Sequence, residues 1–411
     1  MAQATKADLA AIQARTVKVL ATGQALGGFG FGATLSVGAI MATELSGTPA
    51  WSGAAATLST LGSAFVAIPL ANAASKRGRR VALALGAGLA ILGAAGMMLA
   101  AGIRSFPIEL ISLFLLGSAT AVGLQARFAA ADIPTSKKKG RDLSIVVWAT
   151  TLGAVIGPNL IAPGEALGLA IGLPHLAGPV LLTIIDQTSA TLVFWFGLRP
   201  DPLFVAREVS GITGIPAKRK ASEAIAVIRK TPIAAFAVMS IALSHMVMVS
   251  VMSMTPAHLS GEGHSLADVG LTISLHVAGM YAFAPVFGIV SDKLGARKTV
   301  LLGQLILLVS LAVSGFGQFD FYLVMLGLFL LGLGWSAATV AGSALLSETV
   351  DVADRPHVQG FSDSLMSLSG AFGGAVSGTI LTLYTFGGLN AAALLPVVLI
   401  VLGAAYSRRW R

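Results

Sequence analysis

Apolar runs of about 18 to 25 residues recur along this chain, and they decide what it can fold into. At about 1.5 Å per residue, a helix of that length crosses the hydrocarbon core of a bilayer. A spanning β-barrel would instead show alternating segments of about ten residues, and these are absent. Only 11% of the 411 residues are charged, against about a quarter in an average soluble domain. So few charges cannot cover a water-facing surface. The chain is read as an all-α polytopic membrane protein.

The formal net charge of +9 raises nucleic acid as a partner. Basic residues that flank spans on the cytoplasmic side explain it more simply, and no basic face interleaved with aromatics is present. No nucleic-acid partner is expected. With no cysteine, disulfides, thiolate metal sites and thiol catalysis are excluded. Residues 1–16 are polar and no small-residue cleavage site follows a short apolar core, so no cleavable signal is expected.

Twelve spans are predicted, at about 17–42, 51–74, 81–102, 106–128, 143–163 and 172–197, then 233–257, 267–291, 299–317, 320–346, 358–384 and 388–406. With that division, 26 of the 27 Lys and Arg residues fall on one side, and only Arg104 lies on the other. By the positive-inside rule both termini and the long middle loop are expected in the cytoplasm, with the chain in the inner (cytoplasmic) membrane. The loop separates two six-helix bundles, residues 1–198 and 233–411, with 199–232 as the linker. Within it, the basic, Ala-rich piece from Pro216 to Lys230 is read either as an amphipathic helix on the anionic leaflet or as a plain solvated linker.

The halves correspond. A charged turn, Gly288 to Lys298, sits between spans eight and nine, and a weaker copy, Ala71 to Arg80, sits between spans two and three. Their glycines, Gly295 and Gly78, are 217 positions apart. The same shift brings Gly157-Pro158 of span five near Gly374-Ala375 of span eleven. Two parallel six-helix repeats are a transporter architecture, with the substrate site near mid-membrane between them.

The charged turn resembles the signature of the major facilitator superfamily, Gly-x-x-x-Asp-Arg-x-Gly-Arg-Arg/Lys. Gly288, Asp292, Gly295, Arg297 and Lys298 carry it in the second copy, with one additional residue before the basic pair. Gly78, Arg79 and Arg80 match in the first, where Ser75 replaces the acid and Ala71 the first glycine. The resemblance implies the twelve-span fold, no enzymatic activity, no cofactor, and a cluster that stabilises one of two alternating conformations. By pseudo-symmetry Asp292 is expected near the start of span five, around Arg141 to Ser144. With no acid at position 75 the first latch is expected to be weaker, and Asp363, one turn into span eleven, is the candidate to supply the missing charge to Arg79 or Arg80.

Span five, Gly153-Ala154-Val155-Ile156-Gly157-Pro158, resembles the Gly-x-x-x-Gly-Pro core found in the drug/proton antiporter branch. The trailing Gly-Gly of that motif is absent, and generic close helix packing explains the same residues. Span four departs from the branch: Leu113 stands where its membrane-embedded arginine would be, so that proton relay does not carry over.

Ionisable groups inside spans cost about 2.5–3.5 kcal/mol on insertion scales and therefore need a reason. Asp186 lies near the centre of span six, His245 midway along span seven and His276 about a third of the way into span eight. For Asp186, a protonation switch and a hydrogen-bonded structural acid stand side by side. For His245, imidazole titrates near neutrality and suits proton exchange, while a packing role is an equal reading. Gln24, Asn159 and Tyr281 are candidate cavity polars. Met246, Met248, Met252, Met254, His258, Glu262 and His264 suit soft or borderline metals, but an adaptable apolar helix followed by an external loop explains them more simply. No metal site is expected.

The expectation is a monomeric secondary transporter that moves a small molecule by alternating access, with proton-coupled efflux as the leading form. A uniporter or importer on the same fold, or a metal-ion exporter, are the alternatives. A membrane-embedded enzyme would need converging catalytic groups such as His-Glu-x-x-His, and ATP-driven pumping a Gly-x-x-x-x-Gly-Lys-Ser/Thr loop; neither motif is present.

Overall fold

The computed structural model describes residues 6–48, 51, 54–133, 138–212 and 221–407, and every extended regular element among them is helical. In the first half run α1 (Lys6–Ser46), α2 (Ala54–Ile103), α3 (Phe106–Leu116), α4 (Ser118–Ala129), α5 (Lys139–Ile156), α6 (Ile161–Ala170) and α7 (Ala177–Gly197). Two helices of the middle segment follow, α8 (Pro202–Val209) and α9 (Ala221–Lys230). The second half contributes α10 (Pro232–Gly261), α11 (Leu266–Tyr281), α12 (Ala284–Leu294), α13 (Ala296–Phe316), α14 (Phe321–Thr349), α15 (Arg355–Ala392) and α16 (Leu394–Ser407).

By length and composition, nine of the described segments can cross a membrane, and two of these are long enough to cross twice. The first doubled segment breaks at Gly78 and the second at Thr385, where the backbone leaves helical geometry. The α5–α6 segment supplies the remaining crossing, interrupted by a 3-10 turn over Gly157–Leu160. The result is a twelve-helix polytopic fold. Apart from Thr385, proline and glycine place the breaks: Gly117 separates α3 from α4 within span four, and Phe283 precedes Pro285 where α11 passes into α12. Elsewhere caps fix helix starts. Ser265 and Asp268 form a reciprocal capping box at α11, and Asp320 caps α14 by accepting from Leu323 N at 3.0 Å.

Packing groups the chain into two compact units. One contains Met1–Ser136, Ala149–Ala221 and Val352–Ser364; the other contains Lys137–Trp148, Ser222–Asp351 and Leu365–Arg411. Each unit thus takes in a short strip from the opposite half of the sequence. In the first, Val37, Met41, Met97, Leu113 and Val180 share a dry core with Ala55 and Ala94, where small residues let the helices approach. Of the piece read as a helix or a solvated linker, Ala221–Lys230 is helical: Ala224 and Ile228 are buried one turn apart while Glu223, Arg229 and Lys230 are exposed. Pro216–Lys220 lie outside the described residues.

Candidate functional site

Both charged turns are built on a glycine with positive φ, Gly78 at +87° and Gly295 at +92°. A side chain is strained in that region, which accounts for glycine at each turn. Around Gly295, Asp292 accepts from Gly140 N at 2.8 Å and Arg141 N at 3.0 Å, so its carboxylate sits on the free amides of the first turn of α5. That is the position pseudo-symmetry indicated. Gly288 lies against the same turn, where a β-carbon would fall 2.5 Å from Gly140 O. Arg297 donates to Ala404 O at 2.5 Å, and Lys298 is exposed.

The first turn is completed differently. Ser75 is fully buried, and a carboxylate comes from Asp201, at the start of α8. Asp201 accepts from Arg80 N at 2.8 Å, just beyond Gly78, and from Leu203 N at 3.0 Å. One and a half turns later Arg207 donates to Ser75 O at 2.8 Å. Helix α8 therefore places an acid on the amides that follow the break and a base on a carbonyl that precedes it, the sign each helix end favours. Arg80 itself lies over the Trp195 ring at 5.0 Å.

Asp363 makes its direct ion pair with Arg127 rather than with Arg79 or Arg80, although the charge of Arg79 still acts on it from further off. Arg79, fully buried, is held by Asp132 through Nε (2.8 Å) and Nη2 (3.1 Å) and also donates to Gln359. Asp363 accepts instead from Arg127 Nη2 at 2.7 Å. Arg355 donates to Asp132 O at 3.1 Å. The correction has a packing cause: Asp132 already satisfies the Arg79 fork in a bidentate pair. Asp132, Asp201, Arg207 and Gln359 were given no site role from sequence. Only Asp201 carried a local signal, an N-cap acid followed by proline at the first helical position.

The intramembrane candidates divide into two groups. Asp186 accepts from Gly30 N, and its neighbour Gln187 donates to Gly27 O at 2.7 Å. A turn away the Thr34 and Thr183 hydroxyls meet at 2.6 Å. This polar seam ties α1 to α7 and gives Asp186 a hydrogen-bonded place in a helix interface. Gly153 packs on α1 as well, with a β-carbon position 2.6 Å from Gly28 Cα, and Gly157 lies against Phe29 O. Gln24 faces Gly123 of α4, and Asn159 is exposed. The Pro158 side chain lies outside the described residues.

In the second unit, His245 of α10 accepts from Trp335 Nε1 at 3.0 Å through Nδ1. Tyr281, ending α11, meets the same indole edge-on at 5.7 Å between centroids, and Gly370 of α15 leaves room for the imidazole. Four helices thus bring imidazole, indole and phenol together. His276 is not among them: it is fully buried against α14, with Nδ1 2.8 Å from Leu328 O. The Met- and His-rich stretch does not converge either. His258 lies 2.6 Å from Gln318 O and stacks on Phe386, His264 tilts against Phe321, and among the described residues no three His, Asp or Glu side chains come together as a metal site.

The Major Facilitator Superfamily profile matches residues 234–411. The MFS-type transporter YdeG of Bacillus subtilis is 37% identical over 393 residues, covering 93% of this chain and 91% of that protein. The chain belongs to the major facilitator superfamily. Similarity extends to the riboflavin transporter RfnT of Brucella anthropi, 29% identical over 86% of this chain and 85% of that protein. Among solved structures, the proton:xylose symporter XylE matches with a TM-score of 0.73 at 14% identity, covering 98% of this chain and 96% of that one. This major facilitator is accordingly a secondary transporter that carries a small molecule across a membrane, and not an enzyme. The relatives bear out the superfamily; the drug/proton antiporter branch is not what their names indicate.

Proposed function

We propose that this transporter is proton-coupled and exports a small organic molecule bearing a flat ring, by alternating access of two six-span repeats (1–198 and 233–411) joined by residues 199–232. The observation that carries the substrate class is the meeting of His245, Trp335 and Tyr281 on three helices of one unit. Aromatic faces and edges at that spacing favour planar ligands. RfnT is a riboflavin transporter, and riboflavin is such a ring system. The export direction rests on Gly153, Gly157 and Pro158, the motif that resembles the antiporter branch. Asp292 on α5 and the buried pairs Arg79–Asp132 and Arg127–Asp363 serve as latches on the cytoplasmic side, where both termini lie, and the working unit is the monomer.

Riboflavin flux in proteoliposomes under an imposed pH gradient tests this reading. Flux against the proton gradient is expected, with His245→Ala or Trp335→Ala lowering it by on the order of tenfold, the loss of about 1.4 kcal/mol of ring contact and orientation. Flux that runs the same way as the protons would make it an importer. Indifference to the gradient would remove the coupling.

A further inference from the structure

Buried hydroxyls in the second unit are mostly spent on their own backbone. Ser240, Ser250, Thr255, Thr272 and Thr299 each donate to the carbonyl four residues back, at 2.7–3.1 Å. Three hydroxyls of α14 depart from that pattern. Ser336 Oγ, Thr339 Oγ1 and Ser343 Oγ have no hydrogen-bond partner among the described residues, and each of these residues is 1% exposed or less. Covering a hydroxyl with nothing to bond is costly, so three on one helix point to a partner from outside the packed chain.

The three share one face, and that face begins at the aromatic cluster. Counted from Trp335 at about 100° per residue, Thr339, Ser343 and Ser336 all fall within about 100° of it. At about 1.5 Å per residue the row covers about 10 Å of the helix, running toward its end at Thr349. Just before Trp335, Gly332 brings the same face hard against α11, where a β-carbon would run into His276 O. The Trp335 indole meets His245 and Tyr281, so the row of hydroxyls leads away from the place where those rings converge. No charged residue lies between Phe321 and Ser347 on this helix. A phosphate or carboxylate would find no counter-charge on it, whereas a neutral hydroxyl both donates and accepts, as these three do.

We propose that Ser336, Thr339 and Ser343 determine specificity for a neutral, polyhydroxylated chain carried by the substrate's ring. The assignment rests on the flat-ring reading above: the ring meets His245, Trp335 and Tyr281, and its chain lies along α14. When alternating access uncovers this face, water or the chain bonds the three hydroxyls. When the helix packs again over a bound substrate, the chain satisfies hydroxyls that would otherwise be stranded. Closure is therefore easier over a ring that carries such a chain than over the bare ring.

Flavin fluorescence with the purified full-length transporter tests the assignment. Riboflavin, whose ring carries a polyol chain, is compared with lumiflavin, the same ring bearing a methyl group in its place. Wild type is expected to bind riboflavin more tightly by on the order of tenfold, and Thr339→Val or Ser343→Ala to cut that preference severalfold. Thr339→Ser keeps the hydroxyl and should keep the preference. Thr339→Val exchanges an unbonded hydroxyl for a methyl group of the same shape, so without ligand it should melt no lower than the wild type. A lower melting temperature would mean that the hydroxyl is bonded inside the protein, and the proposal falls. It falls too if the variants weaken both flavins alike. Equal binding of the two flavins by the wild type overturns it while leaving the flat-ring reading standing. A wild type that binds neither flavin sinks the flat-ring reading and this assignment together.

Discussion

The two turn glycines share a backbone conformation but not a neighbourhood. At Gly295 a β-carbon would meet nothing within 4 Å, so Gly295→Ala should cost only the positive-φ strain, about 1–3 kcal/mol. At Gly78 the β-carbon would run into the Asp201 carboxylate, which also holds Arg80 N. Gly78→Ala is therefore expected to lose that strain plus a charge-assisted hydrogen bond, about 1.5–3 kcal/mol more. Unfolding of the two variants in detergent, followed by helical signal against denaturant, measures the difference. Equal losses, or a larger one at Gly295, would contradict the role given to Asp201. The glycines themselves were legible, since a charged turn between apolar runs demands them. Their unequal surroundings were not, because Asp201 stands 123 positions after Gly78 and only folding joins them.

At the scale of elements, α8 shows what hydropathy leaves out. Span lengths, breaks at Gly and Pro, and the repeated turn could all be read along the chain, since each is set by local composition and a membrane's thickness. For residues 199–232 that reading gave a linker whose only candidate helix was the Pro216–Lys230 piece. What it left out is a short helix whose Asp201 and Arg207 bracket the first turn, spaced 6 apart to reach both sides of the break. The Arg79–Asp132–Gln359 cluster was equally hidden, with Gln359 lying 280 positions from Arg79. Asp363 looked free to serve the first turn only because Asp132 was not recognised as its occupant. Asp201→Ala should remove the N-cap of α8 and the acceptor of Arg80 N together, at about 1–2 kcal/mol for the cap. Hydrogen exchange should then quicken at Arg80 and Leu203 and leave Gly140 and Arg141, the partners of Asp292, at their wild-type rates. Unchanged exchange at Arg80 would mean that α8 lies on the turn without holding it.

For the whole molecule, alternating access requires that contacts made in one state be given up in the other, and on the latch reading proposed above these are the contacts that tie each strip to its unit. Residues 352–364 are held in the first unit by Arg127–Asp363, by Arg355 on Asp132 O, and by the Ser364 hydroxyl on Ala64 O at 2.8 Å. Residues 137–148 are held in the second by Asp292 on two backbone amides. The two attachments differ in kind. Replacing Asp363 with Asn removes the counter-charge of a buried guanidinium that keeps its other contacts, a loss of up to about 3–5 kcal/mol for the engaged state. Replacing Asp292 with Asn keeps an oxygen that still accepts from one amide, so about 1–2 kcal/mol is lost. A shift of that larger size reverses the populations of two states separated by a few kcal/mol, whereas the smaller one only redistributes them. Spin labels at Arg77 and Ala353, both within the first unit, report release of the strip as a lengthened distance. Asp363→Asn is expected to make the long distance dominant, and Arg127→Leu combined with Asp363→Leu to restore much of the short one by removing both charges. If the Asp363→Asn distribution matches that of the wild type, the buried pair is packing alone, and the latch role falls to Asp292.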